Sequence, residues 1–443
     1  MQGKNAVLKA LRWGLGSLLA VLLLVAGVWA VSRLMPIPAA QQQALALLHH
    51  SAAEPAPGRN AFDGLWLLGL EEVSDAERAA ILAEDIEQMQ RLAERPIDVP
   101  LLPADVASVA QAPHGQVPQM QGLCGWRGGD CLARVRADPA AVEAALAGQQ
   151  GLLARISALS GAGHYRNRFV ADARLPMPNF ILLQRSLPAH ALAHVQGRSD
   201  AALAGICADV RTAKVLISHS DGLLPANVGA AMIGGNVQLL ASVLAELPLD
   251  HPLPAACDGV FVAVEPQALS QCPAMRGEFA MVSRGVQVAP QRLQWLVWDK
   301  RKTDGLIALS MAGACSSRTA EAVQADVPPS WTSVPRSIWR LECAANAAGC
   351  MVASIAAPAY DRYGLALQDG GARLRLAEAL LWLRANPQAD ASTALLQMPA
   401  RLREGERPLL LGSDAASLQV ASYYAKDNGA AFSVPLPGTA SRR

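Results

Sequence analysis

The hydrophobic and polar positions of this chain fall into runs of very different length. From Trp13 to Val31 the sequence WGLGSLLAVLLLVAGVWAV carries no charge. As a helix rising 1.5 Å per residue it covers roughly the 30 Å hydrocarbon thickness of a bilayer. Lys4, Lys9 and Arg12 precede it and only Arg33 follows closely, an asymmetry that places the N-terminus in the cytoplasm. A second charge-free run, Gly222 to Ala245, is as long, yet it contains Pro225, Asn227, Asn236, Gln238 and Ser242. Such side chains face lipid poorly, so this run is expected as a buried core helix.

Elsewhere the periodicity is that of amphipathic helices. Ser74 and Glu77 form a capping box ahead of a face of Ile81, Leu82, Ile86, Met89 and Leu92, which Pro96 stops. Asp138-Pro139 opens a helix towards Leu159, and Ser199-Asp200 one that runs to Ile217. Further helical patterns cover 303–325, 371–386 and 391–404. The end of the chain changes character: 409–411, 417–424 and 430–434 are short β-like runs, and Asp427-Asn428-Gly429 predicts a tight turn that makes a hairpin of 417–434. Val260–Val264 and Gln294–Trp298 are expected as additional strands. The fold class is mainly α with a small C-terminal β-hairpin. The expected units are 1–34, a cytoplasmic tip and signal-anchor; 35–58, a Pro/Ala/Gln-rich stalk; 59–405, a helical exported domain; and 406–443, hairpin and tail.

Composition sharpens the address. Hydrophobic residues make up 52% and charged residues 17%, with 38 Lys+Arg against 37 Asp+Glu. That balance excludes a disordered chain and leaves no broad basic surface for nucleic acid. All eight cysteines lie beyond the first charge-free run, and an even count in an exported chain reads as a disulfide set. Proximity in sequence favours Cys124–Cys131, Cys257–Cys272 and Cys343–Cys350, which leaves Cys207 with Cys315. The alternative to an anchor is a cleaved signal, because Val28-Trp29-Ala30 loosely fits a small-x-Ala site; a typical signal core is shorter than this run. The expected location is therefore the inner membrane, single-pass, with the bulk of the chain periplasmic.

Candidate chemistry is sparse. His190 and His194 stand four apart, as in zinc proteases, but Ala191 occupies the place of the required Glu. The run Ser218-His219-Ser220-Asp221-Gly222 reads as a helix end, with His219 near the dipole and Gly222 as a left-handed cap. Glu265, Glu278, Asp299 and Asp304 are scattered carboxylates, and Gly125–Gly129 reads as the turn of a cysteine loop. No cofactor or metal is called for, and no catalytic residue can be named. Nine tryptophans exceed the six phenylalanines and five tyrosines. Trp295, Trp298, Trp331 and Trp339 interleave with Arg301 and Arg336, residue types favoured at the centres of protein contacts.

The stretch Asn60–Leu70 (NAFDGLWLLGL), Asp130-Cys131-Leu132-Ala133 before a helix, and Ile355–Tyr363 (IAAPAYDRY) before the helix at Arg373–Arg384 have a recognisable layout. In these stretches the chain resembles a family of bacterial inner-membrane proteins with one N-terminal anchor and a mostly helical periplasmic domain. The resemblance implies topology and helical content, and no activity. The expected function is a membrane-tethered periplasmic binding or scaffold protein with an envelope protein partner, acting through Trp295, Trp298, Arg301, Trp331, Arg336 and Trp339. The alternative is a periplasmic enzyme or ligand-binding domain for cell-wall or lipid-derived material, with carboxylates such as Glu265 and Glu278 in a cleft.

Overall fold

The computed structural model describes residues 2–49, 57–70, 73–95, 100–107, 123–127, 129–285, 294–330, 339–356, 360–388, 390–424 and 431–438. Local chemistry accounts for most element boundaries. α1 (Gln2–Leu34) contains the first charge-free run, and α2 (Ala39–His49) begins just after Pro36 and Pro38. The strand β1 (Arg59–Asn60) leads into α3 (Ala61–Trp66), which Asn60 caps by accepting from the Phe62 N–H. α4 (Asp75–Glu94) opens on a complete capping box: Ser74 Oγ accepts from the Glu77 N–H, and the Glu77 carboxylate accepts from the Ser74 N–H. Asp130 and Asp138 cap α5 (Cys131–Ala137) and α6 (Pro139–Leu146). The helix expected to reach Leu159 breaks at Gly148, whose φ of +74° no helix accepts, and resumes as α7 (Gln150–Ala158). β2 (Ala162–His164) then pairs in parallel with β1.

Three long helices follow in near succession: α8 (Ser186–Val195), α9 (Ser199–Ser218) and α10 (Leu223–Glu246). Next come α11 (Cys272–Gly285), α12 (Lys300–Met311), α13 (Ser317–Gln324), α14 (Ala347–Ala356) and α15 (Asp361–Ala385). The helix expected over 303–325 is thus two, because the chain tightens into a 3-10 turn at Ala312–Cys315 and Ser316 caps a new start. The pattern at 391–404 is likewise divided into α16 (Ala391–Gln397) and α17 (Ala400–Arg403) by Pro399, which has no N–H to continue the ladder. At the end β3 (Leu410–Leu411), β4 (Ser417–Val420) and β5 (Phe432–Pro435) form an antiparallel sheet of three strands, one more than the expected hairpin. The Asp427-Asn428-Gly429 turn lies outside the described residues.

Neither of the two additional strands forms. Their backbone groups are taken by side chains and single contacts instead. The carbonyls of Val260 and Val262 accept from Lys214 Nζ, and the Ala263 N–H donates to Glu378. The carbonyls of Leu296, Val297 and Trp298 accept from Trp29, the Ala348 N–H and Arg33.

α10 is the core helix. Of the residues in its most apolar 18-residue stretch 83% are buried, between α9 and α15 and with α8, α11, α5 and β5 also against it. α9 comes so close that a Cβ on Gly229 would stand 2.7 Å from the Ala213 carbonyl oxygen. Leu418, Val420, Val434 and Leu436 of the C-terminal segment belong to the same core, so the segment from 406 packs as part of the body. Arg407 fixes it there, with Nη1 2.6 Å from the buried Asp369 carboxylate and Nη2 2.5 Å from Asp326. A second, smaller core gathers Met275, Phe279, Leu306, Ile307 and Met311 of α11 and α12. α2 contributes Ala44 and Leu48 to it, so residues 39–49, expected within a free stalk, are packed into the body. The apolar side chains of α1 from Leu11 to Val25, by contrast, stand exposed.

All eight cysteines are disulfide-bonded: Cys124–Cys131, Cys343–Cys350, Cys207–Cys257 and Cys272–Cys315. The last two correct the pairing expected from proximity, Cys257–Cys272 and Cys207–Cys315. Cys207 on α9 faces the 3-10 turn Ala255–Cys257, while Cys272 opens α11 beside the turn that ends at Cys315. Loops closed over 50 and 43 residues constrain the unfolded chain more than loops of 7. Replacing both members of Cys207–Cys257 by Ala is therefore expected to cost about 4 kcal/mol, and both members of Cys343–Cys350 about 2 kcal/mol. Urea unfolding under non-reducing conditions checks the order of the two.

Candidate functional site

Two hollows lie end to end along α10. The first, about 500 Å³, is lined by Leu223, Leu224 and Asn227 of α10, by Glu278 and Met281 of α11, and by Tyr360 and Tyr363 at the start of α15. The second, about 600 Å³, takes up at Asn227 and continues past Ala230, Ala231, Gly234, Gly235 and Gln238, facing Ala366, Asp369 and Arg373 one to three turns further along α15. Asn227 lines both, so the two hollows adjoin along successive turns of α10 and α15 and are together termed the groove.

The first hollow is the acidic end. Asp221 sits in the short connection between α9 and α10, and its carboxylate accepts from the Asn167 N–H at 3.2 Å. The preceding connection is held by backbone pairing of Tyr165 with His219 and by Asn60, which bonds Arg166 through both its N–H and its carbonyl. Burial pushes the Asp221 carboxyl up to about 6, against the opposing influence of the Asn167 N–H, Arg166 and His164. α11 reaches Asp221 because residue 277 is glycine: a Cβ there would stand 1.9 Å from the Asp221 carbonyl oxygen. The next residue, Glu278, is also raised by burial, and Tyr360 Oη donates to it at 3.4 Å. Two carboxyls held towards their neutral forms thus face a hollow otherwise lined by Phe169, Leu175, Met177, Leu224 and Ile355. Tyr165 Oη is buried there with no hydrogen-bond partner among the described residues. Asp172 lies at the same hollow but is already bonded by Arg174 and Arg284.

The second hollow is the basic end. Trp126 and Arg127 stand on the loop closed by Cys124–Cys131, and Arg127 lies over the Tyr424 ring. Arg373 projects from α15 over the Phe432 ring, 4.8 Å from its centre. Asp369, one turn before Arg373, does not neutralise it: its oxygens are taken by Arg407, Ser422 and the N–H groups of Tyr423 and Tyr424. Burial, with Arg407 and Arg127 nearby, lowers the Arg373 pKa, Asp369 offsetting only part. Arg373 Nε and Trp126 Nε1 are buried without a hydrogen-bond partner among the described residues.

The residues singled out by sequence fall mostly elsewhere. Trp295 is half exposed and meets Trp29 edge-on at 5.2 Å, Trp298 offers its carbonyl to Arg33, and Arg301 is exposed beside the buried Lys302. Trp339 is 92% exposed, while Trp331 and Arg336 lie outside the described residues. The tryptophan and arginine segment at 295–301 therefore seats the end of α1. Glu265 is exposed on a turn away from Glu278, Asp299 caps α12, and Asp304 pairs with Lys300.

His190 and His194 project from α8 to different partners. His190 bonds Asp209, which also accepts from Ser186 Oγ at 2.5 Å, and His194 bonds Ser199 and Glu246. With the Asp209 carboxylate standing between serine and imidazole, the order differs from a serine–histidine–aspartate line, in which the imidazole meets the hydroxyl. Among the described residues no three His, Cys, Asp or Glu side chains converge as metal ligands. His219 does end α9, but Gly222 has φ −133° and serves as the N-cap of α10, not as the left-handed cap of α9. Comparison with protein-family models, curated proteins and solved structures finds no match.

Because the folded chain holds the Asp221 proton more tightly than the unfolded chain, its contribution to stability is full below about pH 4 and is lost as pH rises to about 6. Asp221→Asn, which cannot ionise, is expected to gain on the wild type across that window, by up to about 3 kcal/mol. Chemical denaturation of both proteins at pH 4 and pH 7 checks this; an unchanged difference would refute it.

Proposed function

We propose that the protein is a single-pass inner-membrane protein, N-terminus cytoplasmic, whose periplasmic body binds a ligand in the groove along α10. The tether is supported by how α1 ends. Its unpaired terminal carbonyls, those of Ser32 and Arg33, accept from the buried Lys302 ammonium, which also complements the helix dipole. Ser32 Oγ accepts from the Ala345 N–H, and Trp29 Nε1 donates to the Leu296 carbonyl. A cut after Ala30 would remove Trp29 from this seat, which favours an uncleaved anchor. Beside the seat Trp295, Val297 and Leu341 are exposed, side chains suited to the edge of a bilayer. Four disulfides suit an oxidising compartment.

One observation carries the binding function: the groove wall holds buried polar atoms, Tyr165 Oη at one end and Trp126 Nε1 and Arg373 Nε at the other, that have no hydrogen-bond partner among the described residues. Such atoms are costly to leave unpaired, and a bound ligand supplies what they lack. Ile355, which lines the acidic hollow, is itself largely exposed. A protein partner docking on 295–301 would have to displace contacts that hold α1.

Native mass spectrometry of the full-length protein, extracted in mild detergent, tests the reading. A bound small molecule is expected in the wild type and in Trp295→Ala, and is expected to be lost in Ala231→Trp, which fills the groove. Retention by Ala231→Trp, or a protein partner lost in Trp295→Ala, would overturn it. A catalytic reading is favoured by one feature, the pair of neutral-leaning carboxyls Asp221 and Glu278 in one hollow. On that reading Asp221→Asn retains an unprocessed ligand of different mass from the one held by the wild type; identical masses would remove it.

A further inference from the structure

We infer that the basic end of the groove is a phosphate site, reading a phosphoryl group through Arg127, Arg373 and the Trp126 indole N–H. The inference rests on the groove being the binding element and names what its basic end recognises. Three donors reach the hollow from two directions, Arg373 from α15 and the Trp126-Arg127 pair from the disulfide-closed loop. Among the described residues neither guanidinium has a carboxylate bonded to it, and the one acid in the hollow, Asp369, is fully engaged by Arg407 and the 422–424 backbone and hydroxyl. Like charges have thus been brought to one hollow where, among the described residues, Asp369 offsets them only in part, an arrangement that an anion relieves.

The geometry favours phosphate over carboxylate. A carboxylate presents two coplanar oxygens, which a single guanidinium fork satisfies. A phosphoryl group offers three oxygens in a tetrahedral fan, matching donors that arrive from separate elements. The guanidiniums of Arg127 and Arg373 lie over the rings of Tyr424 and Phe432, 6.0 and 4.8 Å from their centres, contacts that leave the guanidinium N–H groups unpaired by the rings. The remaining groove, with its apolar and amide lining past Ala231 and Asn227, accommodates whatever the phosphate is attached to.

The test uses the full-length protein in non-ionic detergent, with thermal melting as the readout. Inorganic phosphate and water-soluble dihexanoylphosphatidic acid are the probes, against chloride at equal ionic strength. A rise of about 3 °C is expected for a ligand at a hundred times its Kd. Arg373→Gln and, on the exposed side, Arg127→Gln are each expected to weaken binding at least tenfold while leaving the unliganded melt unchanged or higher. A rise with both probes marks the bare phosphate as the group read, and a rise with the lipid alone marks a headgroup; both support the site. No rise with either probe, or a rise that survives Arg373→Gln, overturns it. Loss of the co-purified ligand in Ala231→Trp but not in Arg373→Gln would leave the groove standing and dismiss the phosphate.

Discussion

A helix of 24 residues whose single charged side chain is its terminal Glu246 is stable in water only if most of its surface is covered. Each Leu, Ile or Val withdrawn from solvent contributes about 1.5–3 kcal/mol, and α10 offers such residues all round. The rest of the body is arranged to meet that demand. α9 lies against the small residues at Gly229, α15 closes the opposite side, and the C-terminal sheet covers the far end. The groove is a by-product of this arrangement. Along this face α10 presents Asn227, Ala231, Gly234 and Gln238 in place of large apolar residues, and at Gly234 and Gly235 the missing side chains admit Arg373 and Trp126 against the helix.

The wall opposite α10 depends on charges that are themselves locked. Asp369 accepts from a guanidinium, a hydroxyl and two backbone N–H groups, and through them it holds the chain from Ser422 to Tyr424. Arg407, reaching from beyond α17, completes the network through Asp326. These contacts place Tyr424 at the groove and, among the described residues, leave Arg373 on the same helix without a carboxylate bonded to it. Structural and candidate binding arginines thus stand within one cluster, separated by which of them Asp369 can reach.

Local signals in the sequence were legible: the Ser74–Glu77 box, the Asp-Pro start at 139, the helix from Ser199 and the buried character of 222–245 all depend on neighbours within a few residues. Pairings across the chain were not. Cys257 lies nearer Cys272 in sequence, but a turn sets it against α9, and nothing short of the packing indicates this. The contact of the tryptophan and arginine segment with Trp29 spans more than 260 positions, so its part in seating α1 could not be read locally. Asp221 was visible only as part of a helix end, and Glu278 only as one of several scattered carboxylates. Asp369 and Arg373, four apart, have the spacing of an ordinary surface ion pair. Only burial separates them, by giving Asp369 to Arg407 instead. A pointer did exist in α15, where charged residues recur on faces that a helix in contact with α10 has to bury.

The seat at Lys302 has a mechanical meaning in the proposed topology. Four residues separate α1 from α2, and both helices are bonded into the body, so there is no lever arm between bilayer and domain. The body turns with its membrane helix and samples only a layer one domain thick. A molecule carried in or on the bilayer meets the groove at a local concentration set by two-dimensional diffusion, whereas one dissolved in the compartment gains nothing from the tether. The short linkage therefore acts as a filter on encounter, selecting by where a ligand travels before its chemistry is read.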